Sequence, residues 1–467
     1  MINTRHRLYN DNLDLWEKVR DACEGEDTIK LKSEKYLPKP SGMESGTYNN
    51  YLARAKYVNY SGKVLSNAIA QIFRLNPVIT DFDEVIQEDI DLQGRSLPSF
   101  SRQLLNEIML TNRAGVLIDW SDEQSRPYLS MFKAENIINW RLEKNKPVLI
   151  VLEGTIEKPD PVNPYLVNLE KMWKELYIEE GIYKVRDWQE FRDTQTNTMN
   201  AVIVAEYEPM INDKHFDFIP FFCITTLGDT LEVLKSPLLD LANLNLGAYI
   251  NSADYENMLH WSSARTIITN QLGDTDFHIG GVVDFPIGGG ASYLETKSDA
   301  LILEELRHKE EQMAVLGSSL LSGKGRYVAS AQTAEINSDG EHASLSDVST
   351  SLSEVMTYVL RIVMQWLRND STETSIEYNT VFKQTGFQPN ELTTYIQAVA
   401  QGVLSFDAFY SIMESREIYP ADWTLEMEKA LLETKEKEKI EAFKSSLENF
   451  ENEDEENEDE GGEDERV

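Results

Sequence analysis

Cysteine is nearly absent from this chain. Its 467 residues hold two, Cys23 and Cys223, far apart and without ligand-type neighbours. That spacing excludes a disulfide framework and matches a reducing compartment, with both thiols as small core residues. Long apolar runs are also missing. The longest, such as Val148–Leu152 and Ile219–Ile224, are far too short to cross a bilayer. The N-terminal stretch from Met1 to Val19 has no apolar signal region, so the expectation is a soluble protein that is not exported and has no membrane partner. Basic residues are scarce too, 44 against 80 acidic ones, for a formal charge of -36. A chain so acidic does not grip nucleic acid by neutralising phosphates, although it can let DNA pass. Histidine supplies no motif: His6, His215, His260, His308 and His342 show neither HExxH nor HxH spacing.

What is present is enough apolar and aromatic material, 41% and 10% of residues, for packed cores. The length exceeds what one core usually organises and points to two to four regions. In the first half, Leu8 to Val19 reads as a short helix, Tyr48 to Phe73 carries apolar residues at near-helical spacing, and Phe100 to Leu110 repeats that pattern. Gly115 to Trp120, Tyr128 to Trp140, Val148 to Glu153, Tyr177 to Trp188 and Ala201 to Tyr207 read as strands between polar turns. The fold class is therefore α+β, with a modest mixed sheet.

After Pro220 helix takes over. Leu238 to Trp261 is helical with Pro237 in its first turn. Residues 265–298 are glycine-rich and β-like, and helix resumes near Ala300. From Ala343 onward Leu345, Val348, Leu352, Val355, Val359, Val363 and Trp366 recur every three or four residues, one apolar stripe along a long helix. Two or three helices follow Phe387. Eleven of the fifteen residues from Glu451 to Glu465 are acidic, so the tail is expected to be disordered.

Catalytic signatures fail on inspection. Gly317 to Lys324 has one residue too many for a phosphate-binding loop, and Gly325 stands where a Ser or Thr should hold magnesium. Gly288–Gly290 lacks GxGxxG spacing and follows Pro286, so it reads as a turn. Asp274, Asp276 and His278 alternate as metal ligands on one strand face would, but a solvated turn that meets partners is favoured. Asp254 and Glu256 interrupt an apolar helix. A paired-carboxylate catalyst is one reading, and contacts between helices of adjacent subunits the better one.

An ordered set of residues carries a resemblance. It begins with Tyr36-Leu37-Pro38, then Tyr48, Tyr51, Arg54-Ala55, Tyr57 and Asn59, then Phe73-Arg74 and Pro77. It continues through Arg113 to Asp119, Arg126-Pro127-Tyr128 and Ile137 to Arg141. The most specific points are Pro237, Asp240, Ala242 and Asn245, then Ser252, Asp254, Glu256-Asn257 and Leu259-His260, then Met313, Leu316-Gly317 and Thr333-Ala334-Glu335. In this order the chain resembles the portal proteins of tailed bacteriophages, the head-to-tail connectors, in a branch known only as a domain of unknown function. The likeness runs from about residue 36 to 370.

The resemblance implies a non-enzymatic subunit without cofactor or metal, in a homo-oligomeric ring, usually a dodecamer, at one capsid vertex. Double-stranded DNA would pass through its channel without sequence specificity during packaging and ejection. The partners implied are the terminase large subunit, then a head-completion or tail adaptor, and the major capsid and scaffold proteins. The location implied is the virion, and the host cytoplasm during assembly. By order, residues 1–235 would be the wing, 236–264 and 299–317 the stem helices, and 265–298 the clip. Residues 318–332 would be the tunnel loop, 333–385 the long wing helix with its following strand, 386–447 the crown and 448–467 the acidic tail. Lys324, Arg326 and Tyr327 would then lie nearest the DNA, with Gly323 and Gly325 as hinges. Asp274, Asp276 and His278 would bind partners at the clip, and Asp254 and Glu256 would join subunits in the stem. The rival readings are a metal-dependent phage enzyme built on Asp274, Asp276 and His278, and an acidic scaffold or chaperone that forms no ring.

Overall fold

A computed structural model describes residues 1–160, 163, 165–192, 199–212, 214–263, 266–270, 290–294, 300–321, 331–367, 373–380, 382, 389–415, 423–435 and 437. The chain divides into two units, Met1–Phe382 and Lys383–Val467. In the first, helix α1 (Arg7–Glu24) starts at His6, whose extended backbone and ring nitrogen cap the free amide of Leu8. It stops at Gly25, whose φ of 123° leaves the helical region. A short helix α2 (Glu26–Leu31) follows, then α3 (Ser45–Arg54) and α4 (Tyr60–Ile72).

The periodic run Tyr48–Phe73 is thus two helices rather than one. The break comes from Asn59, whose side chain accepts from Gly62 N at 2.7 Å and donates to Cys23 O at 2.8 Å. Gly62 lies so close to α1 that a Cβ there would sit 2.4 Å from that carbonyl. The chain continues through β1 (Val78–Thr80), α5 (Glu84–Glu88) and α6 (Leu97–Thr111), and α6 ends on left-handed Asn112.

Two sheets follow, and every strand pair in them is antiparallel, which corrects the expected mixed sheet. Five strands form a meander in sequence order: β4 (Ile137–Glu143), β5 (Lys146–Pro159), β6 (Val167–Glu179), β7 (Ile182–Arg192) and β8 (Met199–Tyr207). The other sheet combines β2 (Ala114–Ser121) and β3 (Arg126–Lys133) with β11 (Phe221–Thr225) and β12 (Gly228–Asp229). A small hairpin, β9 (Met210–Ile211) with β10 (Lys214–His215), lies between.

Two expected strands are each two. Tyr128–Trp140 breaks at a 3-10 turn, Ala134–Asn136, where the Asn136 side chain bonds Lys133 N and Glu153 O. Tyr177–Trp188 folds back at Glu180 and Gly181, both at positive φ, as a two-residue hairpin requires.

Helix α7 (Leu239–Ser263) leads to β13 (Thr266–Asn270), which pairs antiparallel with β14 (Gly290–Leu294). Helix α8 (Ala300–Leu321) and the 36-residue α9 (Ala331–Trp366) come next, and β15 (Ser375–Glu377) returns to pair with β1. All seven residues of the α9 stripe from Leu345 to Trp366 are buried. They join one core with α1, α4, α6 and both sheets. Burial of such a face, at about 25 cal/mol per Å² of apolar surface, is what holds a helix of ordinary propensity in place.

The second unit holds α10 (Pro389–Ala400), α11 (Phe406–Ser415) and helical residues 425–435. The acidic stretch 451–465 lies outside the described residues. Among the described residues no helix is long and apolar enough to cross a membrane.

Candidate functional site

Helix α7 is apolar on more than one side, a composition that calls for partners around most of its circumference. Leu241, Ala242, Leu246, Tyr249 and Ala253 are buried, whereas Ile250 and Leu259 remain about one-third exposed, at 36% and 38%. Its middle rests on a second, smaller core built largely of tyrosine: Tyr36, Tyr48, Tyr51 and Tyr57 with Ile29, Leu37, Ala55 and Tyr249. Each phenol outside α7 finds an acceptor. Tyr48 donates to Leu37 O at 2.7 Å, Tyr57 to Ala22 O at 2.6 Å, Tyr51 to Asp254 Oδ1 at 2.7 Å, and Tyr36 to Asp21 Oδ2 at 2.5 Å. The Tyr57 and Tyr249 rings meet edge to face at 5.8 Å.

Three polar contacts fasten the same stretch. Besides Tyr51 and Asp254, Arg54 Nη2 donates to Asn257 Oδ1 at 3.0 Å, and Lys56 N donates to Ser252 Oγ at 3.0 Å. Burial, then the adjacent Asp254 carboxylate, hold the Tyr51 hydroxyl well above the usual phenol range. Burial, then Asp21, do the same for Tyr36.

Helix α8 packs close to α7 and α4. Lys309 Nζ donates to Gly247 O at 3.3 Å. A Cβ on Gly317 would lie 2.9 Å from Val64 Cγ2. Helix α9 is tied to the chain around β15 by Ser349 Oγ to Asn379 O at 2.7 Å and Arg361 Nε to Thr374 O at 3.0 Å.

Of the residues singled out from sequence, Asp254 is exposed and Glu256 half-buried on α7. Two positions apart on a helix, they point in different directions and do not form a facing carboxylate pair. Asp274, Asp276 and His278, and the loop residues Gly323, Lys324, Gly325, Arg326 and Tyr327, lie outside the described residues. Among the described residues no group of three His, Cys, Asp or Glu side chains is placed to hold a metal.

Two polar groups have surroundings that sequence reasoning does not show. Arg113 is fully buried, with Nη1 donating to Leu231 O at 2.8 Å and its guanidinium carbon 4.1 Å above the Trp140 ring. The His6 ring stacks on the same indole at 4.0 Å. Asp229, exposed as a residue, accepts from Cys223 N at 2.8 Å, and crowding by the surrounding chain pushes its carboxyl up to about 6. Arg113 stands at the head of a strand-like segment in the sequence, but nothing there signals that its partners are a ring and a carbonyl.

Comparison with known proteins gives one family: residues 237–367 match "Domain of unknown function (DUF4055)". Among curated proteins there is no match. The chain is similar to a chain in the structure "Virion of native gene transfer agent (GTA) particle", at 11% identity and a TM-score of 0.39, covering 81% of this chain and 95% of that one. It is also similar to chains in "Neck of empty GTA particle computed with C6 symmetry" and "Neck of native GTA particle computed with C12 symmetry". Each of these has 11% identity and a TM-score of 0.36 over 81% of this chain, and the coverage of the other chain is 96% and 95%.

Proposed function

We propose that the chain is a portal subunit of a tailed phage or phage-like particle, without catalytic activity of its own. The observation that carries this reading is the content of the matched stretch. Residues 237–367 contain α7, the β13–β14 pair, α8 and α9 in that order. The residues of likeness to portals in this stretch, from Pro237 to Glu335, fall within the same span. On this reading α7 and α8 are the stem, the segment between them is the clip, and α9 is the long wing helix. Residues 1–235 are the wing and 386–447 the crown.

The physical chemistry of the chain fits a channel that must release what it carries. Each phosphate neutralised by Lys or Arg adds affinity through counterion release, and an acidic body with a charge of -36 keeps that term small. Double-stranded DNA slides past Lys324, Arg326 and Tyr327, with Gly323 and Gly325 giving the loop its movement. The clip, with Asp274, Asp276 and His278, receives the terminase large subunit and afterwards the tail adaptor. Asp254 already spends one oxygen on Tyr51, so Glu256 is the freer of the two for a neighbouring subunit. The ring sits at one vertex among major capsid and scaffold proteins, after assembly in the host cytoplasm.

Native mass spectrometry with negative-stain imaging of the purified protein tests this. The expected result is a closed ring of about twelve copies, since a heterologous interface that repeats must close or polymerise. A persistent monomer that manganese or zinc stabilises against heat would overturn it in favour of a metal-dependent enzyme. Within the portal reading, deletion of Ser322–Ala329 leaves the ring intact and alters DNA retention; loss of the ring would sink the loop assignment.

A further inference from the structure

We infer that a cavity between the end of β2, the β8–β9 connection and the C-terminus of α9 is a receptor for an arginine side chain of a protein partner. The cavity is about 380 Å³ and is lined by Asp119, Trp120, Asp122, Tyr207, Glu208, Pro209, Met210, Asn212 and Trp366. That volume is near the low end of ligand-binding pockets, about 300–1,000 Å³, and suits one side chain better than a whole cofactor. None of the lining residues is basic, and three are carboxylates.

Three independent features select a planar cation. The first is the aromatic wall: half-buried Trp120 stacks on buried Trp366 with ring centres 5.9 Å apart, and Tyr207, whose ring already meets Lys174 Nζ at 5.5 Å, adds a third ring at the rim. Arginine binds such faces better than lysine, because its weakly hydrated guanidinium stacks as well as attracts. The second is charge. Lys174 lies behind the wall, 3.1 Å from Asp119, 3.5 Å from Asp187 and 2.8 Å from the Tyr207 hydroxyl. Glu208 meets Lys184 at 3.1 Å and the His215 ring at 3.6 Å. Asp119, Asp122, Asp187, Glu208 and Glu179, which shares Lys184, stand against Lys174, Lys184 and His215 and leave an excess of at least two negative charges. Asp122 and Glu208 are exposed at the mouth, where an incoming cation arrives first. The third is the helix end. The last residue of α9, Trp366, lines the cavity, and Asn212 in the same lining caps the Gln365 carbonyl at 2.9 Å. A helix C-terminus carries partial negative charge and favours a cation within its last turn.

The occupant is a protein segment rather than a nucleic acid, because phosphates would be repelled by the same carboxylates. The site is independent of whether the chain forms a ring.

The test uses the full-length protein labelled with 5-fluorotryptophan, with the Trp120 and Trp366 resonances assigned through Trp120→Phe and Trp366→Phe. The probe is acetyl-Gly-Arg-Gly-amide, and its control is the same peptide with neutral, isosteric citrulline. The arginine peptide is expected to shift both resonances at a concentration about fivefold lower than the citrulline peptide, the size of one exposed cation–π contact. Asp122→Asn with Glu208→Gln, two exposed positions that leave the wall intact, is expected to abolish that preference. Equal response to both peptides, or a preference that survives the double substitution, would overturn the proposal. So would resonances that respond to neither peptide.

Discussion

The Tyr51 hydroxyl and the Asp254 carboxylate meet at 2.7 Å across 203 positions of sequence. The bond joins α3 to the middle of α7, and the buried face of Tyr51 belongs to the same small core as Tyr249 and Ala253. Tyr51→Phe keeps that packing and removes only the bond. Asp254 is exposed and regains water, so the expected loss is about 1 kcal/mol, the net worth of an ordinary hydrogen bond. Denaturant unfolding of the two proteins measures it. A change of several kcal/mol would show that the bond does more than fasten α7.

The tyrosines of this junction also set an alkaline limit. Tyr36, Tyr51 and Tyr57 all have hydroxyls raised above the usual phenol range, chiefly by burial, and burial pushes Tyr249 up to about 12. A group whose folded pKa is raised contributes stability below its unfolded value, near 10, and loses it as the pH climbs toward the folded value. Stability is therefore expected to fall steadily above pH 10. Absorbance titration at 295 nm should show these phenols ionising together with loss of structure. Ionisation near 10 in the folded protein would contradict their burial.

Asp229 works in the opposite part of the pH scale. Its carboxyl is raised from about 3.8 to about 6 by crowding from the surrounding chain, so the folded state favours the protonated form. The associated stability is complete below pH 3.8 and is lost as the pH rises through 6. Asp229→Asn keeps an oxygen to accept from Cys223 N and cannot ionise. It should therefore match the parent at pH 4 and exceed it at pH 7, by a margin well short of the full shift because Asp229 is an exposed residue and solvent screens its charge. Thermal melts at both pH values decide it, and an advantage independent of pH would show that the carboxyl titrates normally.

Gly62 is the tightest of the helix contacts around α1. With only 2.4 Å between an added Cβ and the Cys23 carbonyl, either α4 or α1 must shift. Gly62→Ala is expected to cost about 1–3 kcal/mol, the usual penalty for overpacking, despite alanine's better helix propensity. A stabilised Gly62→Ala protein would mean that the two helices are free to part.

Much of the fold is legible wherever periodicity is strong. The stripe from Leu345 to Trp366 is buried at each of its seven positions, and Gly115 to Trp120 is a central strand. The features that stay hidden are set by contacts distant in sequence. Ala55 to Asn59 breaks a helical pattern because Asn59 reaches Cys23 O in another helix. The hairpin at Glu180 and Gly181 needs two residues at positive φ, and only Gly181 announces itself. In α7, sequence draws attention to Asp254 as a misfit on an apolar helix. Its partner Tyr51 stands there as an apolar position and a point of the resemblance, but neither reveals the bond, since spacing carries no record of which distant group a hydroxyl meets. The cavity beside Trp366 draws no attention, because its carboxylates come from β2, the turn after it and the distant β8–β9 connection.

Arg113 offers the sharpest test of how the core tolerates charge. It is fully buried, burial lowers its pKa, and its polar contacts are one carbonyl and one indole face. Nε and Nη2 meet no acceptor among the described residues. A buried cation without a carboxylate is a cost to folding, and replacing it with an apolar side chain of similar length removes that cost while keeping contact with Trp140. Arg113→Met is therefore expected to be as stable as the parent or more so. Arg113→Ala should lose about 2–5 kcal/mol, because it leaves a cavity beneath the indole. If both substitutions destabilise equally, the guanidinium's charge, and not its volume, holds β2 against Trp140.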